Sequence, residues 1–340
     1  MSSYQDVKHV HSLCEWINPT ELDWSSLSSN PNAIALLESN PELIDWCALS
    51  GNPNASHLLK TNPGNIHWPT LCTNPDSTAL QLLKEHPRKI NWYLLSGNPS
   101  AYAIDLLSKN PDKINWFKLS QNTHPDACIL LHQHPEKINW HLFSKYANKN
   151  SISFLKEYKH KIHLHTFSEN KHLNIHDIFD TDDIVSYHDW CGLSINPSNY
   201  AIKQLQQNPE QIIWFYLSQN INPKAIQILE QNTDKIDFYW FASNTSGVEL
   251  ITKLIHSHYN LIEWYLLSEN INAVPLLQQH PDKIYWPSFS ANPNIFTINY
   301  TFLKERMHNT GLFEELMSNR FHPDNIHNFD GWGFELSWNC

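Results

Sequence analysis

Residues 88–111 read RKINWYLLSGNPSAYAIDLLSKNP, and residues 112–135, which follow directly, read DKINWFKLSQNTHPDACILLHQHP. Both follow the pattern I-x-W-x-x-L-S-x-N-P…A-x-x-L-L-x-x-N-P-x-K, which recurs every 22, 24 or 26 residues along the chain. Its Trp position is filled twelve times, by Trp24, Trp46, Trp68, Trp92, Trp116, Trp140, Leu164, Trp190, Trp214, Phe238, Trp264 and Trp286. Repetition at this period is typical of arrays built from one small supersecondary unit.

Each repeat can be interpreted as two short helices separated by Asn-Pro. The residue before the Trp position is often a favoured N-cap, as at Asp23, Asp45, Asn91, Asn115, Asn139, Asp189 and Asp237. Helix A is therefore expected to begin at the Trp and to end at the Asn-Pro about six residues later. The Asn of that pair can cap helix B, with Pro in the first turn. Helix B carries Ala and a Leu-Leu pair at helical spacing, and a second Asn-Pro or His-Pro ends it.

Two helices of about 7–10 residues are not stable alone in water, so the repeats must stack on one another. Stacking buries Trp, Ile and Leu against the neighbouring repeats. The sequence therefore predicts an all-α fold, an α-solenoid of about twelve short two-helix repeats of 22–26 residues. We expect an open rod or arc of roughly 110 Å contour. Residues 21–298 form the solenoid, with degenerate repeats at about 144–189, and residues 1–20 and 299–340 form capping ends.

Composition excludes several functional classes. The 340 residues carry a net charge of −11, which argues against a dedicated nucleic-acid binder, because phosphate contacts require clustered Lys and Arg. Only 8 Gly occur, and no Gly-rich phosphate-binding motif is found. The six Cys are isolated, no apolar run suits a signal peptide, and none suits a membrane span. These features favour a cytoplasmic protein with reduced thiols and no membrane contact.

The repeat resembles a helical-repeat family found in many copies in giant DNA viruses of amoebae and algae. Its members carry serial I-x-W-x-x-L-S-x-N-P-x-A-I-x-L-L-x-x-N-P units and close with a characteristic segment. The matching residues of that segment are Asn294-Ile295-Phe296, Tyr300, Phe302 to Arg306, Glu314 to Met317 and His322-Pro323. The match covers about residues 20–330, although the repeats near 144–189 depart from the pattern. The resemblance implies a viral origin and a solenoid fold, and hence the host cytoplasm or a virus factory; it implies no activity.

The residues that could carry chemistry are explained more simply by structure. A Ser recurs at Ser28, Ser50, Ser96, Ser120, Ser144, Ser168, Ser194, Ser218, Ser268 and Ser290. A nucleophile would not be repeated in this way, so we expect a small side chain whose hydroxyl bonds a nearby backbone group. The best metal candidates are His160, His163, His165, His172, His176 and His188, with Asp182 and Asp183 nearby. Capping or solvated His is the simpler interpretation, so we predict no catalytic residue, metal or cofactor.

Aromatic residues provide the strongest functional signal. They occupy the two positions after the Trp position in certain repeats, at Tyr93, Phe117, Phe215, Tyr216, Tyr239, Trp240 and Tyr265. Stacked repeats would align these side chains along one surface, most densely from Phe215 to Tyr265. Tyr and Trp are enriched in binding hot spots, so we predict that these residues bind a partner. The alternative is that they pack against the preceding repeat.

The leading functional hypothesis is a non-enzymatic scaffold or adaptor that holds another protein on an extended solenoid face. A second possibility is a structural component of a virion or virus factory, in which the rod serves as a strut. A third is an RNA-binding repeat protein, although the repeats carry no ladder of Lys or Arg.

Overall fold

The computed structural model describes residues 10–173, 177–179 and 189–320. Its chain divides into two compact bodies, one formed by Glu15–Ile295 and the other by Met1–Cys14 together with Phe296–Cys340. The first body contains all twelve Trp positions. Short helices follow one another in tandem along its described part, so the predicted all-α repeat class is confirmed.

Helix A begins at the Trp position in every repeat. The twelve A helices are Trp24–Ser29, Trp46–Ser50, Trp68–Leu71, Trp92–Ser96, Trp116–Leu119, Trp140–Tyr146, Leu164–Ser168, Trp190–Ile195, Trp214–Leu217, Phe238–Phe241, Trp264–Glu269 and Trp286–Ala291. We number the repeats 1 to 12 in this order. The seven predicted Asp and Asn caps are confirmed, since each side chain accepts a hydrogen bond from an N–H of the first turn, as Asp23 does from Ser26.

Helix B follows after a short turn. The described B helices are Ile34–Ser39, Ser56–Thr61, the broken pair Ser77–Leu80 and Leu82–Glu85, Ala101–Lys109, Ala127–Gln133, Ile152–Glu157, Asn199–Gln207, Pro223–Glu230, Val248–His258 and Val274–Gln279. Where the second Asn-Pro or His-Pro is present it ends helix B as predicted, and its Pro opens a third element that the sequence pattern did not predict. This element is a 3-10 turn, found at Pro19–Glu21, Pro41–Leu43, Pro63–Asn65, Pro87–Lys89, Pro111–Lys113, Pro135–Lys137, Lys159–Lys161, Pro209–Gln211, Thr233–Lys235, Tyr259–Leu261 and Pro281–Lys283. Lys149–Ser151 and Pro293–Ile295 are further 3-10 turns.

The repeated Ser connects neighbouring repeats. Ser168 differs from the others, since its hydroxyl bonds His165 O and Asp189 Oδ2. In most other repeats the Ser hydroxyl donates to the carbonyl of the Trp position four residues earlier, as Ser50 Oγ does to Trp46 O at 2.7 Å. The same oxygen accepts the N–H of the residue that opens the next repeat, as Ser50 Oγ does from His67 N at 2.9 Å. This confirms the predicted structural role of the Ser. In repeat 3 the thiol of Cys72 takes its place and accepts from Asn91 N at 3.3 Å.

The Asn after helix A does not cap helix B, contrary to our expectation. It is buried, and its Nδ2 donates to two backbone carbonyls of the preceding repeat, as Asn52 does to Ser28 O at 3.0 Å and Asn30 O at 2.8 Å. Its Oδ1 accepts the N–H two residues later, in this case that of Asn54. The same arrangement holds at Asn30, Asn52, Asn74, Asn98, Asn122, Asn170, Asn196, Asn220, Asn244, Asn270 and Asn292. We call this series the Asn ladder; in repeat 6 its place is taken by buried Ala147, which follows helix A and whose carbonyl accepts from Asn170 Nδ2 at 3.0 Å.

The Asn ladder runs from the last repeat back to the first. Asn30 Nδ2 donates to Ser290 O at 3.0 Å and to Asn292 O at 2.9 Å, and Asp23 N donates to Ser290 Oγ at 2.9 Å. Helices A of repeats 1 and 12 pack directly against each other. The repeats of this body therefore form a closed ring, which corrects the expected open rod or arc.

Helix A forms the inner layer of the ring. Consecutive A helices lie in closer contact than most consecutive B helices, and the more closely spaced layer of a curved array is the concave one. The core lies between the layers and includes Leu49 of helix A, Leu59 of helix B and Ile66 before the next repeat. The repeat Trp side chains are only half-buried, which corrects the expectation that stacking buries them. Several of them cover the end of their own helix B, as Trp68 does His86 at 4.7 Å between ring centroids.

The second body contains the only two strands in the described part of the chain. His11–Leu13 pairs antiparallel with Phe296–Ile298, with Ser12 opposite Thr297. Helices Tyr300–Asn309 and Leu312–Glu315 follow, and Leu316–Arg320 forms a π-helical turn. Gly311, between the two helices, has φ of +69°, a conformation that L side chains rarely adopt. The domain boundaries 1–20, 21–298 and 299–340 stay predictions.

A substitution within the Asn ladder tests how much it stabilises the ring. Replacing Asn220 with Ala removes the donors to Ser194 O and Asn196 O and leaves both buried carbonyls unpaired. We expect the free energy of unfolding to fall by about 2–4 kcal/mol, as measured by denaturant unfolding. Asn65, which is exposed in a 3-10 turn, provides the control, because Asn65→Ala should change stability little. Equal stability of the two variants would contradict the role of the ladder.

Closure of the ring can be tested at Asn30. In an open array this residue would lie at a free end and its replacement by Ala would cost little. In the ring Asn30 spans the contact between repeats 1 and 12, so Asn30→Ala should destabilise the protein about as much as Asn220→Ala, by about 2–4 kcal/mol. The same denaturant series measures both variants. A near-zero effect confined to Asn30→Ala would show that the ring is open in solution.

Candidate functional site

The predicted partner-binding residues lie in the first turns of the A helices, on the inner layer of the ring. Phe215 and Tyr239 expose 41% and 42% of their surface, and Tyr216, Trp240 and Tyr265 are half-buried. Large apolar side chains exposed together on a helical layer are unusual unless something binds there. Packing against the preceding repeat, the alternative interpretation, describes Trp240 on Phe215 and Tyr265 on Tyr239. Phe215 and Tyr239 nevertheless keep more than 40% of their surface exposed, and partner binding stays a prediction.

Aromatic rings of four consecutive repeats form one connected surface. Phe215 contacts Tyr216 and Trp240, with ring centroids 5.0 and 5.8 Å apart. Tyr239 contacts Trp240 at 5.1 Å and Tyr265 at 6.3 Å. All four contacts are close to edge-to-face, the geometry that the ring quadrupoles favour. We call Phe215, Tyr216, Tyr239, Trp240, Tyr265 and Tyr285 the aromatic patch.

Two phenol groups join repeats 10 and 11 within the aromatic patch. The hydroxyls of Tyr239 and Tyr265 are 2.6 Å apart, so one donates a hydrogen bond to the other. This bond is the main reason that the pKa of Tyr265 is raised to about 12; burial and the charges of Tyr239, Glu263 and Glu269 add to it. The two rings are thereby held in a fixed relative orientation.

Tyr285 belongs to the aromatic patch but was missed from the sequence. Its ring lies 6.4 Å from that of Tyr265, and 49% of its surface is exposed. It stands just before the Trp position, where an N-cap is expected, and it makes no side-chain cap. Ile213 and Glu263 leave the A helices of repeats 9 and 11 without a side-chain cap as well. A lost cap costs about 1 kcal/mol, so a Tyr or Ile in place of the Asp or Asn cap suggests that the residue has another role. This departure from the repeat pattern could have pointed to the surface from the sequence alone.

Tyr93 and Phe117 do not belong to the aromatic patch. They lie in repeats 4 and 5, on the opposite arc of the ring, and expose 48% and 50% of their surface. The Nζ of Lys118 lies over the ring of Tyr93, 5.1 Å from its centroid. The structure therefore divides the predicted partner-binding residues into two separate groups.

The described members of the predicted His set do not converge on one point. His163 lies beside His141, with ring centroids 4.8 Å apart, and its Nδ1 is 3.2 Å from Thr166 Oγ1. His165 Nδ1 lies 2.7 Å from Asp189 Oδ2. Among the residues that the structure describes, no three His, Cys, Asp or Glu side chains could together hold a metal ion. His176, His188, Asp182 and Asp183 lie outside the described residues.

One thiol–imidazole contact was not anticipated. Exposed Cys47 of repeat 2 places its Sγ 3.4 Å from Nδ1 of His67, which opens repeat 3. The same Nδ1 is 2.7 Å from Thr70 Oγ1, so the imidazole is shared between a hydroxyl and a thiol. Ser25 donates to Asp45 Oδ2 nearby, and this bond is the main cause that lowers the pKa of Asp45. The spacing of Cys47 and His67 in the sequence matches no metal or redox motif, so only the stacking of repeats brings them together.

No family model, no curated protein and no solved structure matches this chain. Within residues 10–173, 177–179 and 189–320, no helix combines the length and the apolar character that crossing a bilayer requires.

The phenol pair provides a pH-dependent test of the aromatic patch. Replacing Tyr239 with Phe keeps the ring but removes the hydroxyl, so the pKa of Tyr265 should fall from about 12 towards its ordinary 10. Because the pKa is raised in the folded protein, the bond stabilises the fold below pH 10 and is lost as the pH rises through 12. NMR titration of ¹³C-labelled Tyr measures both variants. Tyr285→Phe is the control and should leave the titration of Tyr265 unchanged; an unchanged titration in Tyr239→Phe would contradict the pairing.

Proposed function

We propose that the protein is a non-enzymatic adaptor that holds another protein against the aromatic patch of its ring. The observation that supports this most directly is the connected set of aromatic rings contributed by repeats 9 to 12, of which Phe215, Tyr239 and Tyr285 are each more than 40% exposed. Aromatic side chains offer large contact area at small entropic cost, which is why they dominate binding hot spots.

The ring is suited to this role because its shape is set without the aromatic patch. The bonds that recur between repeats use buried Ser and Asn side chains and backbone groups, as Ser218 Oγ does with Asp237 N, and the rings of the aromatic patch add contacts only between repeats 9 to 12. The first-turn side chains can therefore be occupied by a partner without loosening the fold. A preformed surface also avoids the entropic cost of ordering at binding.

The other functions have less support. The structural alternative, a strut in a virion or virus factory, rested on a rod, and the closed ring removes that argument. RNA binding would need cations along the repeats, whereas the net charge is −11. A cytoplasmic location, or the host cytoplasm or a virus factory if the protein is viral, stays a prediction.

Substitutions in the aromatic patch should abolish partner capture. In the double variant Phe215→Ala/Trp240→Ala, two contacting rings are lost while the Asn ladder is kept, so the ring should stay folded, as checked by circular dichroism. Proteins retained from an expressing cell extract by the wild type, identified by mass spectrometry, should be lost from this variant. Removing hot-spot rings typically weakens binding by 2 kcal/mol or more, roughly thirtyfold.

The matched control lies on the opposite arc of the ring. Tyr93→Ala/Phe117→Ala removes two rings of similar exposure that are not in the aromatic patch. This variant should retain the same proteins as the wild type. If the control loses them, or if Phe215→Ala/Trp240→Ala keeps them, the aromatic patch is not the binding surface.

A further inference from the structure

The aromatic patch lies in an acidic setting. The segments 213–219, 237–243, 263–269 and 285–291, which open repeats 9 to 12 and contain their A helices, carry three carboxylates and no Lys, Arg or His. The carboxylates are Asp237, Glu263 and Glu269. Asp237 caps its helix, while Glu263 and Glu269 both act electrostatically on the hydroxyl of Tyr265. A partner that covers these rings therefore meets negative charge on the same surface.

The opposite arc of the ring shows how this position can bind a cation. Tyr93 is the first residue after the Trp position of repeat 4, and Lys118 is the second residue after that of repeat 5. The Nζ of Lys118 lies 5.1 Å from the centroid of the Tyr93 ring, within the range of a cation–π contact.

The aromatic patch has the same rings without the cation. Phe215, Tyr239 and Tyr265 stand where Tyr93 stands in repeat 4, and their next repeats supply Trp240, Leu266 and Ser288 where repeat 5 supplies Lys118. The indole N–H of Trp240 adds a donor that has no hydrogen-bond partner among the described residues. The four segments therefore bring rings and carboxylates together without a Lys, Arg or His among them.

We propose that the aromatic patch binds an extended segment of a partner protein through its Arg or Lys side chains. The cation lies over the rings of exposed Tyr239 and half-buried Tyr265 and is paired by Glu263 and Glu269. Arg fits better than Lys, because a planar guanidinium stacks on aromatic faces while it donates to carboxylates. The inference rests on the proposed function and specifies the chemistry of its partner. The same carboxylates would repel a nucleic-acid backbone or an anionic membrane.

The test uses random peptides of 12 residues displayed on phage and selected on the immobilised full-length protein. Peptides recovered should be enriched in Arg and Lys, and replacing their Arg with citrulline should weaken binding about tenfold, as measured with the labelled synthetic peptides. Glu263→Gln/Glu269→Gln should weaken the same peptides by a similar factor and reduce the dependence of binding on salt. Glu42→Gln/Glu85→Gln makes the same change in net charge away from the aromatic patch and should have little effect.

The outcomes separate this inference from the proposed function. If the peptides lose binding in Phe215→Ala/Trp240→Ala but show no enrichment in cations and no response to Glu263→Gln/Glu269→Gln, the partner chemistry is wrong and the aromatic patch remains a binding surface. If no recovered peptide depends on Phe215 and Trp240, both are overturned. An equal loss in Glu42→Gln/Glu85→Gln would mean that net charge alone attracts the peptides, which also overturns the inference.

Discussion

The buried Asn side chain that joins a repeat to the preceding one, present in eleven of the twelve repeats, is the interaction on which the ring depends. Its Nδ2 satisfies two backbone carbonyls that no helix can use, and its Oδ1 accepts the N–H that opens the turn to helix B, as Asn220 illustrates. A buried amide with fewer partners would cost about 1–3 kcal/mol for each unsatisfied group. Because the amide is satisfied only in one register, the Asn ladder fixes how far each repeat is displaced and rotated from the one before it. The Ser hydroxyl, two residues before the Asn, adds a second constraint, because it accepts the N–H of the residue that precedes the next helix A.

Ring closure follows from repeating one constraint around the ring, with the ladder Asn present in eleven of the twelve repeats. If each repeat is rotated by about 30° from the one before, twelve repeats complete a full turn. The last repeat then presents to the first repeat the same hydrogen-bonding groups that any repeat presents to the next. Ser290 and Asn292 meet Asn30 as Ser28 and Asn30 meet Asn52, with nearly equal distances. The closed ring has no exposed end repeat, so the repeat ends that an open solenoid must cap are absent from this body. Repeats 1 and 12, which would each have one neighbour in an open array, pack against each other instead.

The local features of the fold could be predicted because single residue types determine them. Asp and Asn before the Trp begin helix A, Pro ends helix B, and a Ser at helix spacing bonds the neighbouring backbone. The role of the Asn after helix A could not be predicted, because an Asn before Pro is equally compatible with a cap and with a cross-repeat bridge. Closure could not be predicted either, since it depends on a small rotation summed over all repeats. Five of the six residues of the aromatic patch could be named from the sequence, because they occupy the two positions after the Trp position. Tyr285 could not, because it stands at the position before Trp, where the sequence pattern predicts an N-cap.

One arc of the ring can differ from another because the Ser and Asn bonds do not involve the first side chains of helix A. The Ser and Asn bonds engage the end of helix A and the backbone, and they place no demand on the first two side chains of that helix. Those two positions can therefore vary from Ser25 and Ser26 in repeat 1 to Phe215 and Tyr216 in repeat 9 while the Ser and Asn bonds between repeats stay the same. A ring held in this way keeps the distance between its arcs constant while each arc has its own chemistry. A partner would then be selected by the few repeats whose first turns match it, and the remaining repeats would maintain the geometry of that surface.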